Sequence, residues 1–156
     1  MMRPVVALVV AALWLGAALI TVTVVAPGAF AVLPTRAMAG DMVGSVLPWV
    51  FRSAIVVHFA VPYIAPALRR RTVVMAATMV AAFASVSALL FVDPRIAAIR
   101  AAAVVPIDQL PPADPRRTLF GLLHGVSVAL LGLAMLANAA MLASIAKSVG
   151  ARPTDQ

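Results

Sequence analysis

The sequence predicts an all-α polytopic membrane protein: a bundle of four transmembrane helices with a short amphipathic segment between helices 3 and 4. Three observations predict this fold. Of the 156 residues, 64% are hydrophobic and only 11% are charged. Soluble domains are about 45–50% apolar and about 25% charged, so a soluble fold of this length could not bury so much apolar surface. The apolar residues are also gathered into four stretches, each long enough to cross a bilayer as a helix.

The first two spans are predicted at residues 5–33 and 43–68. Residues 29–31, Ala-Phe-Ala, resemble a signal-peptide cleavage site, but the apolar stretch is longer than the roughly 7–15 residues of a signal peptide. We therefore expect an uncleaved helix, which Pro27 kinks or ends. In the second helix Pro48 falls within the first turns, where neighbouring side chains can satisfy the carbonyl that it frees.

The third span, residues 72–92, contains no charged residue. Asp93 and the proline after it are expected to end this helix and to start the amphipathic segment, with Asp93 as its N-cap. The other predicted boundaries are a non-cytoplasmic loop at 93–117, a fourth span at 118–146 and a polar tail at 147–156.

The basic residues predict the orientation of this single membrane domain, which covers residues 1–156. Four spans place both termini on one side, with six basic residues there and five on the other side. Three of the six form the compact turn Arg69-Arg70-Arg71, and a dense cluster in a short loop is a strong signal for retention in the cytoplasm. We expect a multi-pass protein of the bacterial inner membrane with both termini cytoplasmic.

The net charge of +7 does not indicate nucleic-acid binding, because the basic residues flank the apolar stretches and no aromatic residues interleave them. Their placement is typical of topology signals and of contacts to anionic headgroups. The expected partner is the lipid bilayer, and no nucleic acid is expected. The chain has no cysteine, which excludes disulfides, thiolate metal ligands and cysteine nucleophiles.

Small residues predict two faces for helix packing. In the fourth helix, Gly121, Gly125 and Gly132 fall on one stripe at about 100° per residue, and the third helix offers Ala77 and Ala81 at four-residue spacing. Close backbone approach is what holds helices together in lipid. Packing within the four-helix bundle explains both faces. A homo-oligomer formed through one of them, or a place in a larger membrane complex, is the alternative.

Five residues form a candidate polar pocket: Arg52, Asp93, His124, Ser127 and Asn138. Polar groups cost free energy inside a bilayer, which makes them the first place to look for function. Arg52 is expected to extend to the headgroups, or else to pair with a carboxylate or a bound anion. The three polar residues of the fourth helix favour an interhelical hydrogen-bond network over a role in ligand binding or proton transfer.

No catalytic residue and no metal ligand is predicted. His58 and His124 lie at different depths, which is a poor geometry for haem ligation by two histidines, and no further ligand stands near either. Met38 and Met42 have the spacing of a Cu(I) thioether pair, but methionine is ordinary filler in apolar helices. No Ser-His-Asp set, carboxylate pair or phosphate loop is present. We expect no cofactor, with haem or copper as alternatives, and no enzymatic activity.

Several short segments, taken in order, resemble a known family. They are Leu13-Trp14-Leu15-Gly16, Pro27, Gly40, Val43-Gly44, Pro48, Leu123-His124-Gly125 and Ser127. Their order and spacing resemble the transmembrane-protein-205-like family, a four-helix membrane domain of unknown function, and more distantly the copper-resistance-protein-D-like superfamily. The resemblance implies that Trp14, Gly16, Pro27, Gly40, Pro48 and His124 are positions of the family pattern.

Taken together, the sequence favours a structural or accessory component of the membrane or of a larger membrane complex. One alternative is a membrane protein that handles small solutes or metal ions in a polar pocket near the outer face. A second alternative, a haem- or copper-linked redox protein, follows only from the distant superfamily.

Overall fold

Four long helices make up most of the protein. The computed structural model describes residues 2–150, with every side chain in that range except that of Arg70. The helices are α1 (Met2–Val32), α2 (Arg36–Ile64), α3 (Thr72–Ala101) and α4 (Pro115–Gly150). No strand occurs in the described range, and each of the four helices is long and apolar enough to cross a membrane. The predicted all-α fold is confirmed, and the chain has the pattern of a multi-pass membrane protein.

The third helix is longer than predicted, because a π-helical turn carries it past Val92. This turn, Ala88–Val92, is closed by a hydrogen bond from the backbone N–H of Asp93 to the carbonyl of Ala88, and an α-helical segment, Asp93–Ala101, follows directly. Asp93 is therefore not an N-cap, and no side chain caps the segment. The amphipathic segment is the outer end of α3, and the predicted loop at 93–117 shortens to residues 102–114.

A second π-helical turn, Thr21–Val25, lies in α1 just before Pro27. Pro27 cannot donate a backbone hydrogen bond, and the wider turn before it accommodates this missing donor. Pro27 therefore does not end α1, which continues to Val32. The second helix begins earlier than predicted, at Arg36, because Thr35 caps it: its Oγ1 accepts the backbone N–H of Met38 at 3.2 Å.

Asp114 caps α4, which therefore begins at Pro115. Its Oδ1 accepts the backbone N–H of Arg116 at 2.8 Å, and its Oδ2 accepts Nη2 of the same residue at 2.7 Å. These bonds hold the pKa of Asp114 below its ordinary value. The cap is fully charged at neutral pH and is lost only as the pH falls through that lowered pKa. At its other end α4 runs on to Gly150, so the predicted polar tail begins as helix, and residues 151–156 lie outside the described range.

Two prolines near the end of α2, Pro62 within it and Pro66 just beyond it, each free a carbonyl group, and a side chain lies within hydrogen-bond distance of both carbonyls. Pro62 removes the N–H that would bond the carbonyl of His58. The Thr78 hydroxyl of α3 lies 3.2 Å from that oxygen and shares its proton between it and the carbonyl of Val74, at 2.9 Å. Pro66 does the same to the carbonyl of Pro62, which accepts Nε of Arg69 at 3.0 Å. The end of α2 is therefore held by donors from α3 and from the α2–α3 loop.

Replacing Thr78 with Val is expected to lower the free energy of unfolding by about 1–2 kcal/mol, because it leaves the His58 carbonyl buried without a donor. In a Pro62→Ala background the same change should cost far less, since a backbone N–H again reaches that carbonyl. Unfolding of both pairs in mixed micelles, followed by far-UV circular dichroism, measures the difference. Thr23→Val is the control, because the Thr23 hydroxyl makes an exposed bond within its own helix. Equal losses in the two backgrounds would refute this account of Pro62.

The hydrophobic core occupies the half of the bundle nearer the α2–α3 loop, and α3 makes its most extensive contact with α4. The predicted small-residue face of α3 is buried in this contact: Ala77, Ala81, Ala84, Ser85 and Ala88 are all at most 5% exposed. Against these short side chains α4 places larger ones, including Leu131, Met141 and Ile145. Close approach thus depends on the alanines of α3.

The glycine stripe of α4, in contrast, does not pack against another helix of this chain. A Cβ atom placed on Gly121, Gly125 or Gly132 would meet no atom within 4 Å. The prediction of a packing face within the bundle is wrong for this helix. The glycines lie off the buried face of α4, which is formed instead by Leu131, Met141 and Ile145 together with Ala134 and Ala137. Association of two chains through the stripe stays a prediction.

Candidate functional site

The two ends of the bundle differ in charge. One end holds the start of α1, the α2–α3 loop and the end of α4; its basic residues are Arg3, Arg69, Arg70, Arg71 and Lys147, and it has no carboxylate within the described range. We call it the basic end. The opposite, mixed end carries the arginines Arg36, Arg95, Arg100, Arg116 and Arg117 together with Asp41, Asp93, Asp108 and Asp114. Among residues 2–150, both signs of charge therefore occur together only at the mixed end.

A cleft of about 890 Å³ opens at the mixed end. Its walls are the first half of α2, the last turns of α3, residues 103–108 of the following loop and the first turns of α4. Its ionisable lining residues are Arg36, Asp41, Asp93, Arg100, Asp108, Arg117 and His124. Leu47, Ile96 and Phe120 add apolar surface. Volumes of about 300–1,000 Å³ with mixed linings are typical of small-ligand sites.

Arg100 joins α3 to α2 at the edge of this cleft. Its Nη1 donates to Oδ1 of Asp41 at 2.8 Å, and its Nη2 donates to the carbonyl of Gly40 at 3.2 Å. The guanidinium also lies 5.3 Å from the ring centroid of Phe120, a cation–π contact with α4. Glycines on α2 make room for it, since a Cβ atom at Gly40 or Gly44 would lie 3.4 or 3.2 Å from a guanidinium nitrogen. Arg100 thus links three helices.

Three of the five residues predicted to form a polar pocket line the cleft: Asp93, His124 and Ser127. Asp93 is half-buried, and its Oδ2 atom is buried without a hydrogen-bond partner in the described range. His124 is exposed and stacks on Phe120, one turn earlier in α4, with ring centroids 6.3 Å apart. Ser127 is 2% exposed at the inner wall. A buried carboxylate oxygen without a partner favours a ligand that donates a hydrogen bond or carries a positive charge.

The other two predicted residues do not line the cleft. Arg52 lies on the exposed side of α2 with its guanidinium 5.0 Å from the ring centroid of Trp49. It forms no ion pair with a carboxylate of the described residues. Asn138 is fully buried in the core, where its Nδ2 donates to the carbonyl of Ala11 at 3.2 Å. This bond joins α4 to α1, and Asn138 therefore acts in packing between helices.

His58 is likewise a core residue. Its Nδ1 lies 2.7 Å from the carbonyl of Ala54, so this nitrogen carries the proton and donates it. The edge of the Trp14 ring meets it at a centroid distance of 5.3 Å and an interplanar angle of 80°. Trp14 also donates its Nε1 hydrogen to the carbonyl of Val50 at 3.2 Å. Within residues 2–150 no three His, Asp or Glu side chains lie close enough together to hold a metal ion.

Four apolar helices with an ionisable cleft at one end define a small polytopic membrane protein. Residues 9–104 match the profile of the family described as "Domain of unknown function (DUF4149)", more than half of the chain, and the protein belongs to that family. No curated protein and no solved structure matches the chain. The description of the family bears neither of the names that the resemblance suggested, so the finer assignment stays a prediction.

The family match covers α1 from residue 9 onwards and all of α2 and α3, and it ends before α4. Five positions of the predicted pattern fall inside it: Trp14, Gly16, Pro27, Gly40 and Pro48. The structure gives a physical reason for the residue type at two of these positions: Trp14 makes core contacts, and Gly40 leaves room for Arg100. It gives none at Gly16, where an added Cβ atom would meet nothing within 4 Å. His124 lies beyond the matched region.

Proposed function

We propose that this protein is a non-catalytic accessory component of the membrane that holds a small amphiphilic ligand in the cleft at the mixed end. The observation that carries the proposal is the Oδ2 atom of Asp93, which lies buried in the cleft wall with no partner in the described range. Rotation of the half-buried Asp93 side chain towards the cleft would let an ammonium or hydroxyl headgroup donate a hydrogen bond to this oxygen. The apolar part of the same ligand would contact Leu47, Ile96 and Phe120.

The cations of the cleft support an acceptor role for Asp93. Two of the three arginines that line the cleft are engaged: Arg100 by Asp41 and Gly40, and Arg117 by the carbonyl of Leu110 at 2.8 Å. These arginines therefore brace the walls and leave Asp93 without a direct cationic partner. His124 faces the same space and supplies a second polar contact.

The orientation of the bundle belongs to this proposal. Because the basic end concentrates Lys and Arg beside short loops, it would face the cytoplasm, which places the cleft at the outer face of a bacterial inner membrane. We also propose, on the quoted segments alone, kinship with the transmembrane-protein-205-like family. The copper-resistance-protein-D-like superfamily is the more distant candidate.

Binding of amphiphiles with the same alkyl chain tests the proposal. In neutral detergent, dodecylamine is expected to raise the unfolding temperature of the full chain more than dodecanol or dodecyl phosphate at equal concentration. Asp93→Asn should weaken amine binding about tenfold, equivalent to about 1.4 kcal/mol. Asp108→Asn, which changes an exposed carboxylate of the same cleft, is the matched control and should bind like the wild type.

Equal stabilisation by all three amphiphiles, or an Asp93→Asn variant that binds the amine as the native chain does, would contradict the proposed ligand class. A visible haem band in the purified protein that disappears in His124→Ala would instead support the redox alternative.

A further inference from the structure

A second groove, separate from the cleft, lies between α2 and α3 near the basic end. It encloses about 560 Å³, and its wall is almost entirely apolar. Phe59, Tyr63 and Met79 line it and are 50%, 77% and 48% exposed. Between Val56 and Tyr63 the groove follows about 10 Å of helix at about 1.5 Å per residue. It therefore faces the surroundings of the bundle as a slot that can take part of an acyl chain.

Arg69 stands at the end of this groove. Its Nε donates to the carbonyl of Pro62 at 3.0 Å, which ties the guanidinium to the end of α2. Neither Nη atom of Arg69 has a hydrogen-bond or ion-pair partner within residues 2–150. Tyr63 is the second-last residue of α2 and lines the same groove, and exposed tyrosines are typical of the level of the lipid headgroups. The groove thus runs from apolar surface to a fixed cationic donor.

The charge around the groove selects the sign of the headgroup. Arg69 is the first of three consecutive arginines, and the described part of the basic end has no carboxylate. Each nearby arginine attracts a lipid phosphate at the membrane surface. The ammonium group of a zwitterionic lipid would find no carboxylate there.

We propose that this groove is a binding site for one anionic glycerophospholipid. Its phosphate binds the Nη groups of Arg69, and one acyl chain lies against Phe59, Ala60 and Met79. The site is independent of the cleft at the mixed end, because the two cavities share no lining residue.

Native mass spectrometry of the full chain tests the site, with phosphatidylglycerol and phosphatidylcholine of identical acyl chains as probes. The native protein is expected to retain one phosphatidylglycerol at least fivefold more often than one phosphatidylcholine. Arg69→Gln should abolish this preference for phosphatidylglycerol, whereas Arg69→Lys should retain part of it. Arg95→Gln is the matched control, because Arg95 also donates to a helix carbonyl, that of Phe91, but lies at the mixed end.

Ala60→Trp, which fills the middle of the slot, should reduce retention of both lipids and gives a second variant should Arg69→Gln fail to fold. An unchanged preference in Arg69→Gln would overturn the proposal. So would displacement of the bound lipid by millimolar inorganic phosphate, because the site would then recognise the ion without the chain.

Discussion

Replacing Trp14 with Ala should lower the free energy of unfolding by about 2–3 kcal/mol, the largest single effect that we expect in the core. Trp14 is 4% exposed, meets the ring of His58 edge-on and donates to the carbonyl of Val50. Its loss leaves a cavity, for which each Å³ costs about 24 cal/mol. The additional cost of transfer from water is largely absent, because the unfolded chain in a micelle also lies in an apolar environment.

The other tryptophan provides the control for this measurement. Trp49 is 68% exposed, so Trp49→Ala should change the unfolding free energy by less than about 0.5 kcal/mol. Trp14→Phe keeps an aromatic ring and loses the hydrogen bond, and we expect a cost of about 1 kcal/mol. Unfolding in mixed micelles followed by far-UV circular dichroism suits all three variants. Similar costs for Trp14→Ala and Trp49→Ala would contradict the packing of Trp14 against Val50 and His58 of α2.

Replacing Gly44 with Leu is expected to lower the free energy of unfolding by about 1–3 kcal/mol, because the new side chain displaces the guanidinium of Arg100 from α2. A Cβ atom alone would already lie 3.2 Å from Nη1 of Arg100. The displacement breaks the 2.8 Å ion pair with Asp41 and the bond to the Gly40 carbonyl. Far-UV circular dichroism of unfolding in mixed micelles measures this loss.

A double-mutant cycle separates this mechanism from a general intolerance of α2 to larger residues. Once Gly44→Leu has displaced the guanidinium, adding Arg100→Ala should cost little more, since the shared contact is already lost. Gly16→Leu is the control in α1, where nothing within 4 Å would meet an added Cβ atom. Full additivity of Gly44→Leu and Arg100→Ala would contradict the proposed contact.

The number and class of the helices could be predicted because they depend on apolar length alone. Their ends could not always be predicted, because they depend on individual hydrogen bonds. Asp93 and Pro94 have the pattern of a helix start, yet the π-helical turn before them absorbs one extra residue and lets α3 continue. Nothing in the composition of Ala88–Val92 distinguishes such a turn from α-helix. The early start of α2 depends likewise on one bond, from Met38 to Thr35.

Only part of the candidate site could be predicted, because sequence periodicity gives the face of a residue but not the residues that lie opposite it. Ser127 and Asn138 share a face of α4, but eleven residues separate them, or about 16 Å along the axis. Ser127 consequently lines the cleft, whereas Asn138 lies in the core. Periodicity identifies the face of a residue, whereas depth depends on which helices stand opposite.

Arg100 was missed because its contacts exist only if α3 extends to Ala101. The pattern that pointed to it was on α2, where Gly40 and Gly44 lie one turn apart on either side of Asp41. Two small residues beside a carboxylate leave space and charge for an arginine from another helix. Without the length of α3, no partner for that space could be assigned.

The two π-helical turns also bear on how this family can vary. Each one holds a residue more than a regular turn, and each lies between the core and the outer segment of its helix. Deleting one residue from Ala88–Val92 would convert the wide turn into a regular α-helical one and leave the segment Asp93–Ala101 close to its present orientation. The same deletion in a regular turn of α3 would rotate everything beyond it by about 100°. Relatives that lack one residue within these five could therefore keep the same side chains in the cleft above an unchanged core.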